Sequence, residues 1–220
     1  MAKVLFNGTV AAMSGKIGTS VMARGRTGQV VRQRVKGRNP RTVVQVSTRN
    51  NLTTAAKAYK ILSSANVAAW VTAATGITKH NRLTGQSYNP TAENYYVSLF
   101  AKLLQVTPGS ASPTTPPASA FLGDSLTITG SSSGAGNLTF TASAANSANT
   151  KTEFLVQTLK SANRTPTAKG YRSFGFQAFA GGTLTKSITI ASGTYALAYR
   201  YVNTVTGQAT PPTLLGKFSC

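Results

Sequence analysis

Apolar residues recur along this chain at two different periods, and the change falls near Thr107. Before it, Val44, Thr48, Leu52, Ala55, Tyr59 and Leu62 follow at steps of three and four, the spacing of one helix face. Asn39 stands where an N-cap belongs and Pro40 at the first helical position, so the pattern predicts a helix from there. At about 100° per residue, Arg49, Lys57 and Lys60 fall on the opposite side. A second short helix is expected over residues 65–74, anchored by Trp70. A third is expected from Asn89-Pro90, with Glu93 near its positive end and Tyr95, Leu99 and Leu103 on one face. Upstream, VMARGRTGQVVRQRV reads as two short strands around the turn GRTG, and HNRLTGQSYN as an irregular turn or hairpin.

After Thr107 the texture changes. Residues 107–120, TPGSASPTTPPASA, hold four prolines and form neither helix nor central strand, so they are expected to be a semi-extended linker. Beyond it SLTITG, NLTFTAS, TEFLVQTL, YRSFGFQAF, TLTKSITI, TYALAYRYVN and TLLGKFS are seven candidate strands separated by turn signals. Tyr195, Leu197, Tyr199 and Tyr201 alternate with Ala196, Ala198 and Arg200, as in a strand with one buried face. The expected fold is therefore α+β: a basic β-hairpin with helices (1–106), a linker (107–120), and an all-β sandwich of immunoglobulin or fibronectin type III style (121–220).

Charge adds a direction to this picture. The chain carries 23 Lys and Arg against Glu93, Asp124 and Glu153, a net charge of +20, and its first 92 residues contain no acid. Residues 1–106 hold 15 bases and one acid (+14); the rest hold 8 and two (+6). One-signed surfaces repel themselves, so a polyanionic partner is expected, with nucleic acid the leading class. The densest run holds Lys16, Arg24, Arg26, Arg32, Arg34, Lys36, Arg38, Arg41 and Arg49. In a strand, Arg32, Arg34 and Lys36 would share a face with charges ~6–7 Å apart, close to two nucleotide rises of ~3.4 Å. Arginine's fork suits phosphate. Arg49, Lys57 and Lys60 make the alternative surface, and a merely solvated basic face is the plainer reading. No sequence-reading motif is present, so phosphate contact without base readout is expected. Tyr88, Tyr95 and Tyr96 could stack on bases, though core packing is the commoner use of such residues.

Catalytic chemistry finds little support. Asp124 reads as a turn residue and Glu153 as an exposed strand charge; His80, the single histidine, reads as a surface loop residue with no GxSxG elbow beside it. GTVAAMSGK (8–16) has one residue too many for a phosphate-binding GxxxxGK[ST] loop, and Ile17 replaces its hydroxyl. The expectation is a non-enzyme without metal or cofactor. The only cysteine, Cys220, is expected to be a free thiol rather than an intermolecular bridge. Neither a membrane span nor a signal peptide is expected, which points to synthesis in the cytoplasm.

SGKIGTSVMARGRTGQVVRQRVKGRNPRT, followed by a helix with Gln45 and Arg49, resembles a loose group of small basic, largely uncharacterised proteins of bacteriophages and mobile elements. The resemblance spans residues 14–104, and a sandwich tail after a Pro-rich linker is similar to that group too. It implies a structural protein in a virion, and carries no catalytic residue. The leading expectation is a coat or packaging protein, a homo-oligomer assembled with nucleic acid in the host cytoplasm. The alternative is an adhesion module on a surface or secreted fibre that binds acidic polymers. A polyanion hydrolase comes third, short of acids.

Overall fold

The computed structural model describes residues 2–3, 14–25, 28–35, 41–80, 86–134 and 136–220. The chain is α+β, with antiparallel sheets throughout, and divides into two compact units, Met1–Val43 and Val44–Cys220.

The first unit is a four-stranded antiparallel sheet. Its strands are β1 (Ala2–Lys3), β2 (Gly15–Ile17), β3 (Ser20–Gly25) and β4 (Gly28–Gln33), in the order β1-β4-β3-β2. β3 and β4 are the two strands that the sequence predicts, with Gly25 paired to Gly28; Arg26 and Thr27 of the turn lie outside the described residues. β2 and β3 are joined through Gly18 and Thr19. Gly18 has φ +55°, a left-handed conformation that a two-residue hairpin turn requires and glycine adopts without strain. No residue of this unit for which burial is described is buried.

The second unit opens with three helices, α1 (Val43–Lys60), α2 (Ser64–Thr75) and α3 (Ala92–Val106). α1 starts later than the sequence predicts. Arg41 has φ +46°, so a helix cannot run through it, and Asn39 and Pro40 lie outside the described residues. The apolar stripe of α1 is also buried over only half its length. Ala55 and Ala58 are buried, whereas Val44 (74% exposed) and Leu52 (46%) face solvent. The second and third helices match the expectation more closely. α2 is capped by Ser63, whose hydroxyl accepts the Asn66 N–H. α3 is capped by Thr91 rather than Asn89, because Thr91 Oγ1 accepts the Asn94 N–H while the Asn89 amide donates to the Thr75 carbonyl. Glu93 lies in its first turn, where a negative charge suits the helix dipole. Between α2 and α3, β5 (Lys79–His80) and β6 (Ser87–Tyr88) pair as the expected hairpin, and both His80 and Tyr88 are exposed.

Trp70 holds the helical core together. It is fully buried, edge-on to Tyr95 and Tyr96 at centroid distances of 5.7 and 5.0 Å. Leu99, Phe100, Leu103 and Leu104 of α3 complete this layer, each worth about 1.5–3 kcal/mol on burial. Tyr95 and Tyr96 are thus core residues. Residues 107–120 lack regular structure, but they lie inside the second unit and are strapped to the helices. The Trp70 indole donates to the Thr114 carbonyl at 3.1 Å, and the Tyr96 and Ser112 hydroxyls are 2.6 Å apart.

Seven strands form in the β half, six of them where the sequence predicts; the first is displaced, since SLTITG (125–130) is strand only from Ile128 and the strand runs on to Gly134 through serines that read as a turn. The seven are β7 (Ile128–Gly134), β8 (Asn137–Ala142), β9 (Thr150–Leu159), β10 (Arg172–Gln177), β11 (Thr185–Thr189), β12 (Thr194–Asn203) and β13 (Thr213–Ser219). They make two sheets, ordered β11-β8-β7 and β10-β9-β12-β13. One apolar layer lies between them, with Leu138, Phe140 and Ile188 meeting Phe154, Leu197 and Tyr199. The Phe140 and Phe154 rings stack at 4.2 Å. β12 departs from the expected one-faced pattern: Ala196 and Ala198 are as fully buried as Leu197 between them. A strand in the middle of a sheet whose second face is also covered loses the apolar/polar contrast.

Candidate nucleic-acid interface

The register of the first sheet brings part of the predicted basic surface together. Lys16 pairs with Val21, and Val21 with Arg32. Directly paired residues lie on the same face of a sheet, so Lys16 and Arg32 flank Val21 in one row across β2, β3 and β4, roughly 9–10 Å apart at two strand spacings. Both are exposed. Arg34 follows just past β4, where its N–H donates to the Thr19 carbonyl at 2.7 Å and prolongs the pairing; it too is exposed. Arg24 stands in β3 opposite Gln29. Arg26, Lys36 and Arg38 lie outside the described residues, so the Arg32–Arg34–Lys36 face is described only in its first two members.

The remaining basic residues belong elsewhere. Arg41 is exposed in the left-handed stretch before α1. Arg49, Lys57 and Lys60 are exposed on α1, opposite the buried Ala55 and Ala58. Lys57 and Lys60 occupy its last turn, where cations suit the helix dipole. Two basic surfaces result: Lys16, Arg32 and Arg34 in the first unit, and Arg49, Lys57 and Lys60 in the second.

A third charged group was not expected. Glu153, read from the sequence as an exposed strand charge, is fully buried. The reason is its partners. Lys102 Nζ of α3 and Arg200 Nε of β12 both lie 2.6 Å from Glu153 Oε2, and Arg200 is the direct cross-strand partner of Glu153. Burial alone would raise the Glu153 carboxyl, but the hydrogen bond from Arg200 and the nearby Lys102 outweigh it and hold it below the usual carboxylate range. Ser173 adds to this, although no hydrogen bond of good geometry reaches Oε1 among the described residues. Lys102 is pulled down to about 8, chiefly by burial, with Glu153 opposing and Arg200 adding. Its ammonium also meets the Gln105 side-chain carbonyl at 3.1 Å and the face of Phe176 at 4.9 Å. One sequence signal could have found this cluster: Lys102 and Arg200 are single charges inside otherwise apolar stretches, LFAKLLQV and TYALAYRYV.

Asp124 fits its reading as a turn residue. Its carboxylate accepts from the Ser125 and Ser147 N–H groups, the Ser147 hydroxyl and the Asn146 amide. Burial works against ionisation, but these donors prevail and lower its pKa. Cys220 is a free thiol, and among the described residues no helix is long and apolar enough to cross a membrane. Comparison with protein-family models, with curated proteins and with solved structures gives no match for this chain.

Proposed function

We propose that this protein is a non-catalytic structural protein that assembles with nucleic acid, as a bacteriophage coat or packaging protein does. The observation that carries the reading is the row in which exposed Lys16 and Arg32 flank Val21, in a sheet whose strands contain no acidic residue. Arg34 extends the row, and with no carboxylate in their own unit these cations are matched best by phosphates. A second support is that this sheet buries no side chain among those described. A sheet without a packed face is marginal alone, so a partner that lies on it also stabilises it.

On this reading the β half is a sandwich of immunoglobulin or fibronectin type III style and supplies subunit contacts. Its seven strands, counted as A to G, give sheets E-B-A and C′-C-F-G, the immunoglobulin arrangement with the fourth strand moved beside the third. Tyr195, at the start of the sixth strand, donates to the Ala191 carbonyl at 2.7 Å, the bond of a tyrosine corner. β10 ends one sheet and β11 the other, and strand edges of this kind pair with other copies unless covered.

The test is the 260/280 nm absorbance ratio and sedimentation of the native assembly, before and after nuclease. Large particles that carry nucleic acid, and that reform from nuclease-treated protein on adding polynucleotide, are expected. A sharp monomer at saturating polynucleotide would overturn the coat reading. Nucleic-acid-free fibres would favour the alternative, an adhesion module, for which the fibronectin-like strand order is the supporting observation.

A further inference from the structure

A cavity of about 230 Å³ lies beside α1, α3 and β12, and its lining includes Thr48, Asn51, Leu52, Ser98, Lys102 and Arg200. Its charge is set by its walls. Lys102 and Arg200 line it, whereas Glu153, which both of them contact, does not. Two cations against one carboxylate leave one positive charge over, and that surplus faces the cavity. Arg200 spends only Nε on Glu153; its two terminal nitrogens donate no hydrogen bond among the described residues. A planar fork of free donors beside an ammonium is the arrangement that takes an oxyanion in two-point contact. The cavity has the volume of roughly seven liquid waters at ~30 Å³ each, room for a tetrahedral anion with part of its hydration.

We propose that this cavity is an oxyanion site, taking a phosphate group on Arg200 and Lys102 with Asn51 also in its wall. The site is independent of the basic row on the first sheet, since it shares no residue with it. Binding should depend on pH through Lys102. The charged and titratable groups around that ammonium are Glu153 of β9 and Arg200 of β12, while the lining residues of α1 are uncharged. An anion in the cavity favours the protonated amine, so affinity should fall as pH rises through about 8.

The experiment uses the full chain and inorganic sulfate, whose charge is constant across this range, read by backbone amide shifts of residues 98–105. Saturable shifts at pH 6.5, at least about tenfold weaker at pH 9.5, are expected. Thr48→Trp fills the cavity from an exposed helix position and should abolish them, whereas Lys16→Gln with Arg32→Gln should leave them unchanged. Arg200→Lys keeps the charge but loses the fork, and should weaken binding several-fold if it folds. Shifts that do not saturate, or that survive Thr48→Trp, or that ignore pH, would overturn the site. Inorganic phosphate and a short oligothymidylate then separate the sources. Saturation by phosphate alone assigns a free-ion site; saturation by both assigns a phosphodiester contact.

Discussion

Glu153→Gln tests the buried charge cluster most directly. The substitution keeps shape and removes the only negative charge between two cations. Since Lys102 Nζ and Arg200 Nε each lie 2.6 Å from the same oxygen, they are at most 2.6 + 2.6 = 5.2 Å apart. At an effective dielectric near 20, two like charges at that separation repel by about 3 kcal/mol; Glu153 offsets this repulsion in the native protein, and without it the repulsion stands uncompensated, in line with the ~3–5 kcal/mol lost when a buried pair loses one partner. Proton release from Lys102, already at about 8, caps the loss. A destabilisation of about 3 kcal/mol near pH 7 is therefore expected, or roughly 6–12 °C in Tm for a chain of this size. The pH dependence has a definite sign. The Lys102 pKa is lower folded than its ordinary 10.5, so between about 8 and 10.5 the unfolded state binds the extra proton and stability rises with pH. In the variant, where Lys102 sheds its proton earlier, that rise should begin below pH 8, and the deficit should shrink towards pH 10. Urea denaturation across pH 6–10 measures both. Adding Lys102→Met removes one of the stranded cations, so Glu153→Gln should cost less than half as much in that background. A loss under 1 kcal/mol at pH 7, or an equal loss in the double variant, would refute the account.

Three other outcomes are expected. Lys16→Gln with Arg32→Gln should weaken polynucleotide binding and reduce the slope of log affinity against log salt by about 2 from a wild-type value near −5, for about six phosphates, with circular dichroism unchanged; filter binding between 50 and 200 mM salt measures it. Trp70→Ala should lose about 3–5 kcal/mol, since the ring is fully buried, whereas Trp70→Phe should lose less, chiefly the bond to Thr114; thermal melts compare them. Gly207→Ala should destabilise by more than 1 kcal/mol, because Gly207 has φ +73° and a Cβ there would come within 2.2 Å of the Leu99 carbonyl oxygen; chemical denaturation reads the loss.

What the sequence reveals here follows from how far apart the cooperating residues lie. Six of the seven strands of the β half and the last two helices are legible because their signals are local: Glu93 at a helix start, Gly and Asn at turns, alternation along NLTFTA. The start of α1 is not, because Arg41 adopts a left-handed conformation that no rule assigns to arginine. The unpacked half of the α1 stripe is not either, since periodicity identifies an apolar face but not whether anything covers it. For the basic row, alternation along one strand links Arg32 to Arg34, but Lys16 joins the row only through Val21, which pairs with both Lys16 and Arg32, and cross-strand register has no sequence signal until the turns are known. Glu153 fails for the strongest reason. Its neutralising charges stand 51 positions before it and 47 after it, so a local reading sees an acid in a strand and assigns it to solvent.

That buried carboxylate also bears on how the two parts of the second unit are joined. Lys102 belongs to the helical layer, while Glu153 and Arg200 belong to the β half, with the Pro-rich stretch between them in sequence. Lys151 repeats the link, its ammonium 3.4 Å from the Val106 carbonyl at the end of α3. A flexible tether between independent domains would need no such contacts, and a buried ion pair tolerates little displacement because separation leaves its charges without compensation. The helices and the β half of the second unit are therefore coupled through Glu153, and a ligand on Arg200 and Lys102 would act on that joint. An oxyanion there should raise the Tm of the whole second unit in one transition rather than shift a separate helical one. Calorimetry with and without sulfate measures this; two resolved transitions, of which only one moves, would show that the halves unfold independently.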